Sequence, residues 1–303
     1  MNKLFFSFAL TLISLQVSGQ LYDSSALQIY RLDDTTFYYP KPRPFSFITK
    51  IPATYTVAAH NVFRKENLKP AGIIAVSTAV LLLFDQDIAN KVHQFSHYIG
   101  LDPTRSYGKS LAFNIGGLKV DVYDPPRNLN SAIYSIGEGV PPLLIAGGLW
   151  GFGIARKDNR AISTASQIVQ ATTAAGITTQ LIKRMAGRES PFRATQDAGR
   201  WRPFPKPSIY QKNVSMYDAF SSGHMGTMVA TYVVITENYP EKKWIRPVGI
   251  AVMSLVGLAM INNDVHWASD YPLAVGVGYA FGKATVHLNR FIKGEPLLKR
   301  RWR

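Results

Sequence analysis

Apolar residues along this chain gather in blocks rather than alternating with polar ones. The blocks run over about 71–84, 132–155, 162–184, 219–237, 245–262 and 270–288, with no long period-two pattern between them. Blocks of that length predict helices, so the expected fold class is all-α, a bundle of about six core helices. The prolines at 40, 42, 44 and 52 forbid an interior helix or central strand, and residues 20–70 read as an irregular lead-in. Residues 71–131 read as a helical extension, 132–292 as the main helical domain and 293–303 as a basic tail. Within the extension, Asp85-Gln86-Asp87 opens an amphipathic pattern of Ile88, Val92, Phe95 and Ile99, and Asp124-Pro125-Pro126 then breaks the chain. Asp85 and Asp87 suit a metal ion by type, but the pair reads better as the acidic cap and first turn of a helix starting there.

The same blocks raise the question of a membrane. Segment 247–261 carries no charge and 270–282 is nearly as apolar, whereas 162–181 is rich in Ser, Thr and Gln and 132–155 contains Glu138 and two prolines. A mean hydropathy of −0.01 is low for six spanning helices. If the last five blocks span, three basic stretches (156–160, 241–246 and 299–303) fall on one side, as the positive-inside rule requires. The loop 185–218 and the turn 262–270 then face the other side. Block 71–84, at 14 residues, is too short to cross fully in that topology. A membrane-associated bundle is therefore preferred to a water-soluble one. At the N-terminus, Lys3, the apolar run Leu4 to Leu15 and Val17-Ser18-Gly19 read as a secretory signal over residues 1–19. Export to the periplasm or the inner membrane, with a periplasm-facing site, is the localisation expected.

Composition narrows the chemistry. A formal net charge of +15 over 303 residues favours anionic partners. The basic residues are scattered and no groove-reading motif is present, so nucleic acid is not expected. The absence of cysteine excludes disulfides, thiolate metal sites and cysteine nucleophiles. In the loop after residue 190, Arg193, Arg200, Arg202, Lys206 and Lys212 interleave with Phe192, Trp201 and Phe204, a pattern suited to a lipid interface.

Three segments carry the candidate chemistry. His266 follows the 245–262 block, and Asp270 lies four residues on, a spacing at which a carboxylate orients the ring and frees its other nitrogen as a nucleophile. His224 follows Ser221-Ser222-Gly223, where Gly223 permits close approach and the N–H groups opening the next helix attract an anion. By itself Ser-Gly-His is a weak signal, equally a serine cap before a buried histidine. Lys183, Arg184 and Arg188 precede Pro191 and suit a phosphate, or equally a solvated basic turn.

In order, these segments resemble the motifs of the superfamily of type-2 phosphatidic-acid phosphatases and vanadium-dependent haloperoxidases, over roughly residues 130–290. The resemblance implies a helical bundle and a metal-independent phosphatase of a lipid-linked or other organic phosphate. It makes His266 the phosphorylated nucleophile, Asp270 its orienting group and His224 the acid, with Lys183, Ser222 and Gly223 binding phosphate. No cofactor is implied, apart from vanadate under a haloperoxidase reading. The positions where the family carries phosphate-clamping arginines hold Ser190 and Met260 here, Ala259 stands for a serine and Ser221 for a proline. Arg188 is the expected stand-in for the missing clamp, with Arg193, Arg200 and Arg202 as further candidates. The alternative is a weakened or inactive relative that binds anionic lipid phosphate.

Overall fold

The structure, a computed structural model, describes residues 27–101, 103, 106–109, 111–115 and 118–292. The signal read at 1–19 and the basic tail 293–303 lie outside those residues. Among the described residues there are ten α-helices and five short strands, and the all-α reading holds.

The chain opens with strands β1 (Leu27–Leu32) and β2 (Thr35–Pro40), an antiparallel hairpin whose second strand pairs with β5 (Phe291–Ile292). Then come α1 (Ser46–Thr49), α2 (Ile51–Val62) and α3 (Lys65–Tyr98). The stretch 20–70 is thus not irregular throughout: the prolines at 40, 42, 44 and 52 sit at the end of β2, before α1 and in the first turn of α2, where no backbone N–H is required. A second hairpin, β3 (Leu111–Ile115) with β4 (Leu118–Tyr123), follows.

The main helices are α4 (Leu129–Ile136), α5 (Val140–Arg156), α6 (Asn159–Ala186), the short α7 (Pro207–Lys212), α8 (Gly223–Asn238), α9 (Ile245–Asn262) and α10 (Tyr271–Asn289). The block read as 132–155 is two helices bent by 58° around Gly137-Glu138-Gly139, where Pro141 and Pro142 restart the chain. Caps fix the starts: Asn128 accepts from the Ser131 N–H, Asp158 from Ala161 and Ser222 from Met225. Gly187, at φ 60°, ends α6; a Cβ there would meet the Arg202 carbonyl oxygen.

Helix α6 is central, packed on α5, α8 and α10. Most of its Ser, Thr and Gln residues face inward, Thr173 and Gln180 excepted: Gln170 donates to Thr54 Oγ1 at 2.7 Å, and Gln167 accepts from Asn238 at 2.6 Å. The polar content of that block is therefore an interhelical hydrogen-bonded seam, not a solvated face. Gly278 and Gly282 let α10 lie against Gly226, Val229 and Val233 of α8.

Two helices, α3 and α9, are long and apolar enough to cross a membrane, with α4–α5 a third if the bent pair is one span. The inclusion of α3 corrects the short 71–84 block: Asp85 and Asp87 do not start a helix but lie deep within one of 34 residues. Large apolar side chains such as Val76, Leu83, Leu144, Trp150, Ile250 and Leu255 cover the outward faces of these helices. At one end of the bundle the Arg160 guanidinium donates to the Asn238 carbonyl and to Glu241, so the basic turns 156–160 and 241–246 sit together. The three motif segments lie at the opposite end.

Candidate active site

Folding brings the two histidines together. His224, the second residue of α8, and His266, in the turn between α9 and α10, have ring centroids 5.6 Å apart with planes at 72°. The His266 ring is 2% exposed. Its Nδ1 lies 2.9 Å from the Ala219 carbonyl oxygen and 3.4 Å from Asp270 Oδ2. The carbonyl is the closer acceptor, so the orienting role expected of Asp270 alone is shared with backbone. Both acceptors call for a proton on Nδ1, which leaves a lone pair on Nε2. That Nε2 is buried with no hydrogen-bond partner among the described residues, a costly arrangement unless something else is to occupy the space.

Asp270 is fully buried in the 3-10 turn Ala268–Asp270. Burial pushes its carboxyl upward, but the Arg188 guanidinium, His266 and the Trp267 N–H together outweigh that and hold it below the ordinary aspartate value. The Trp267 N–H donates to Oδ2 at 2.8 Å.

The phosphate-binding candidates divide. Lys183, 6% exposed at the end of α6, places its Nζ 3.4 Å from Asp218 Oδ2. One turn earlier, Thr179 lies beside the first turn of α8, its side chain 3.6–3.7 Å from where a Cβ on Gly223 or Gly226 would fall. The hydroxyls of Thr179 and Ser221 are buried without partners among the described residues, and with Ser222 they supply neutral donors around the start of α8.

Arg188 does not face this space freely. It is 0% exposed and all five of its N–H groups meet protein acceptors: Asp85 Oδ2 at 2.5 Å, Asp270 Oδ1 and Ser269 Oγ at 2.7 Å, and the Ala198 carbonyl from both Nε and Nη2. To clamp a phosphate, as the sequence led us to expect, it would have to give up two carboxylates; here Arg188 is held by Asp85 and Asp270. The loop arginines do not replace it. Arg202 pairs with the buried Glu189, Arg193 lies over the Phe192 ring and Arg200 is exposed. The Glu189 carboxyl, raised by burial, is drawn below its ordinary value by the Thr195 and Arg200 N–H groups and Arg202.

At the two substituted positions, Ser190 is buried and donates its N–H to the Ser215 carbonyl. Met260 is fully buried, its Sδ 3.8 Å from Ser222 Oγ, so an apolar side chain flanks the serine at the start of α8.

Two residues of the site escaped the sequence. Tyr134 of α4 brings its hydroxyl to 3.1 Å from His224 Nε2 and packs its ring against the imidazole; nothing in the sequence marks it. Asp85 did leave a signal, a carboxylate in an apolar helix, which is costly unless paired. Among the described residues no group of three or more His, Cys, Asp or Glu could hold a metal ion. A cavity of about 390 Å³ lined by Gln86, His93, Thr195, Asp264 and Trp267 among others borders the site, but includes neither His224 nor His266.

Residues 164–293 match the family model described as the PAP2 superfamily. That span holds all three motif segments and leaves out Asp85 and Tyr134. A solved structure described as the first transmembrane PAP2 type phosphatidylglycerolphosphate phosphatase, from Bacillus subtilis, aligns over 86% of this chain and 100% of its own, at 15% identity and a TM-score of 0.38. No curated protein matches the chain.

Proposed function

Starting from the PAP2 superfamily match of residues 164–293, we propose that this protein hydrolyses a lipid-linked or other organic phosphate, mono- or diphosphate, through a phosphohistidine. The observation that carries this reading is the pair of imidazoles 5.6 Å apart, one of them held at Nδ1 with its Nε2 buried and unpartnered. His266 Nε2 attacks phosphorus while the leaving oxygen takes a proton from His224. Water then attacks the phosphohistidine with His224 as base, restoring both rings. A positioned acid–base group of this kind contributes roughly 10²–10⁴-fold. Ser222, Gly223, Thr179 and Lys183 receive the phosphate oxygens. The apolar outer faces of α3, α5 and α9 support a membrane setting and a lipid substrate, and the basic turns 156–160 and 241–246 at the far end of the bundle support a site that faces the periplasm. The proposed reaction uses no metal.

The test is phosphate release from phosphatidate and undecaprenyl pyrophosphate by the full chain and by His266→Ala. Equal rates remove the reading. A second reading, phosphate binding without turnover, draws on Met260 and on the commitment of Arg188 to Asp85 and Asp270. Acid-labile phosphate bound to His266 after mixing with substrate would exclude it.

A further inference from the structure

Asp85 lies far along the apolar helix α3 with 1% exposure, outside the segment matched to the family. Both of its oxygens are used. Oδ1 accepts from the Ser269 N–H at 2.9 Å, and Oδ2 accepts from Ser269 Oγ and from Arg188 Nη2, each at 2.5 Å. The other arm of Arg188 holds Asp270 Oδ1, and Asp270 Oδ2 stands 3.4 Å from His266 Nδ1. A chain of three buried charges therefore ends on the nucleophilic ring. Two carboxylates and one guanidinium leave one negative charge in excess beside a neutral imidazole. When Nε2 bonds to phosphorus the ring becomes a cation, and the excess charge then balances it where burial weakens solvent screening.

The other groups around the ring do not supply this balance. His224 on α8 is 5.6 Å away between centroids and changes its own charge during the reaction. Tyr271 on α10, 6.4 Å away, donates its hydroxyl to the Gly257 carbonyl. Beyond Ala219, Asp218 is paired with Lys183, and behind Trp267 the Glu189 carboxylate is paired with Arg202.

We propose that Asp85 is a positioning residue of this reaction: through Arg188 it fixes Asp270, and it supplies the negative charge that balances His266 as the ring is phosphorylated. The proposal rests on the phosphohistidine reading above. Without Asp85, Arg188 and Asp270 cancel and the ring cation stands alone.

The experiment measures kcat and KM for phosphatidate in detergent micelles against pH, on the full chain. Asp85→Asn lowers kcat about tenfold with little change in KM. It also moves the acid limb of kcat to lower pH by about half to one unit, because losing an anion disfavours the protonated ring. Loss of folded protein alone would scale the profile without displacing it. Asp85→Asn leaves Arg188 with one carboxylate partner, Asp270, so the double variant Asp85→Asn, Arg188→Gln is measured beside it. The double variant has the wild-type excess charge, carried by Asp270 alone with the Trp267 N–H still donating to it, and thermal unfolding checks that both variants are folded. Its acid limb returns to the wild-type position. A wild-type limb in Asp85→Asn, or a displaced limb in the double variant, overturns the proposal. His266→Ala separates the two levels: equal rates for it and wild type reject the phosphohistidine reading. The charge relation is then read without turnover, from NMR of histidine-labelled protein. There the His266 titration midpoint moves down in Asp85→Asn and returns in the double variant, and an unmoved midpoint overturns it.

Discussion

Gly278→Ala tests whether packing holds the catalytic geometry. A Cβ on Gly278 would lie 2.3 Å from the Gly226 carbonyl oxygen, 2.8 Å from Val229 Cβ and 3.0 Å from the Ala230 nitrogen. Two of these are backbone atoms, so no rotamer change relieves the clash; α10 must withdraw from α8 by about 1 Å to reach ordinary contact distance. Overpacking of this kind costs roughly 1–3 kcal/mol. Replacing a helical glycine by alanine returns about 1 kcal/mol. The net loss of stability is thus modest, about 0–2 kcal/mol. The effect on rate is larger. Helix α8 carries His224 two residues before Gly226, and α10 begins directly after Asp270, so the withdrawal moves one ring relative to the other. A 1 Å displacement of reacting groups costs on the order of 10²-fold. Gly147→Ala on α5 is the control, because nothing lies within 4 Å of its added Cβ. That variant gains up to about 1 kcal/mol and keeps its rate. Thermal unfolding in detergent and kcat on phosphatidate give both quantities. A Gly278→Ala protein with wild-type kcat would refute the reasoning that this crossing sets the distance between the imidazoles.

Other substitutions probe the site and its surroundings. Met260→Arg brings a guanidinium beside Ser222, and competitive inhibition by inorganic phosphate tightens at least about tenfold, a charge-assisted bond being worth about 1.5–3 kcal/mol; unchanged inhibition would show that position 260 does not line the anion site. Asp270 has a depressed folded-state value, so its contribution to stability is complete above the unfolded value of 3.8 and is lost as pH falls through the lower folded one. The melting temperature of the wild type should accordingly fall more steeply below about pH 4 than that of Asp270→Asn. Lys50 is lowered by burial, and by Arg43, from 10.5 to about 8. The unfolded chain binds its proton more tightly, so stability rises between pH 8 and 10.5 by up to ~3 kcal/mol; Lys50→Gln should lack that rise in thermal melts across the range.

The main helices were legible because their blocks are long and apolar: 245–262 matches α9 at both ends, 162–184 falls within α6, and 270–288 is offset from α10 by one residue at each end. The start of α3 was missed because its first turn is polar, Lys65-Glu66-Asn67, and Pro70 follows. The aspartates at 85 and 87 then looked like a beginning. The N-terminal hairpin was obscured by prolines that suit a strand's end. At the site, the meeting of His224, His266 and Asp270 was readable from motif order. The fate of Arg188 was not, since its principal partner lies 103 residues away on a helix outside the motifs. Nor was Tyr134, because a lone aromatic in an apolar block carries no mark of its neighbour.

Helix α3 has a further consequence as a ruler. At about 1.5 Å per residue, Asp85 lies roughly 30 Å along the axis from Lys65, close to the thickness of a bilayer's hydrocarbon layer. A chain seated in a membrane along this helix would hold Lys65 at one water boundary and the reacting phosphorus near the other. On the proposed function, a lipid phosphate would then meet the site at its natural depth, with its acyl tails still in the leaflet, and no lipid would need to be lifted out for the bond to be cut.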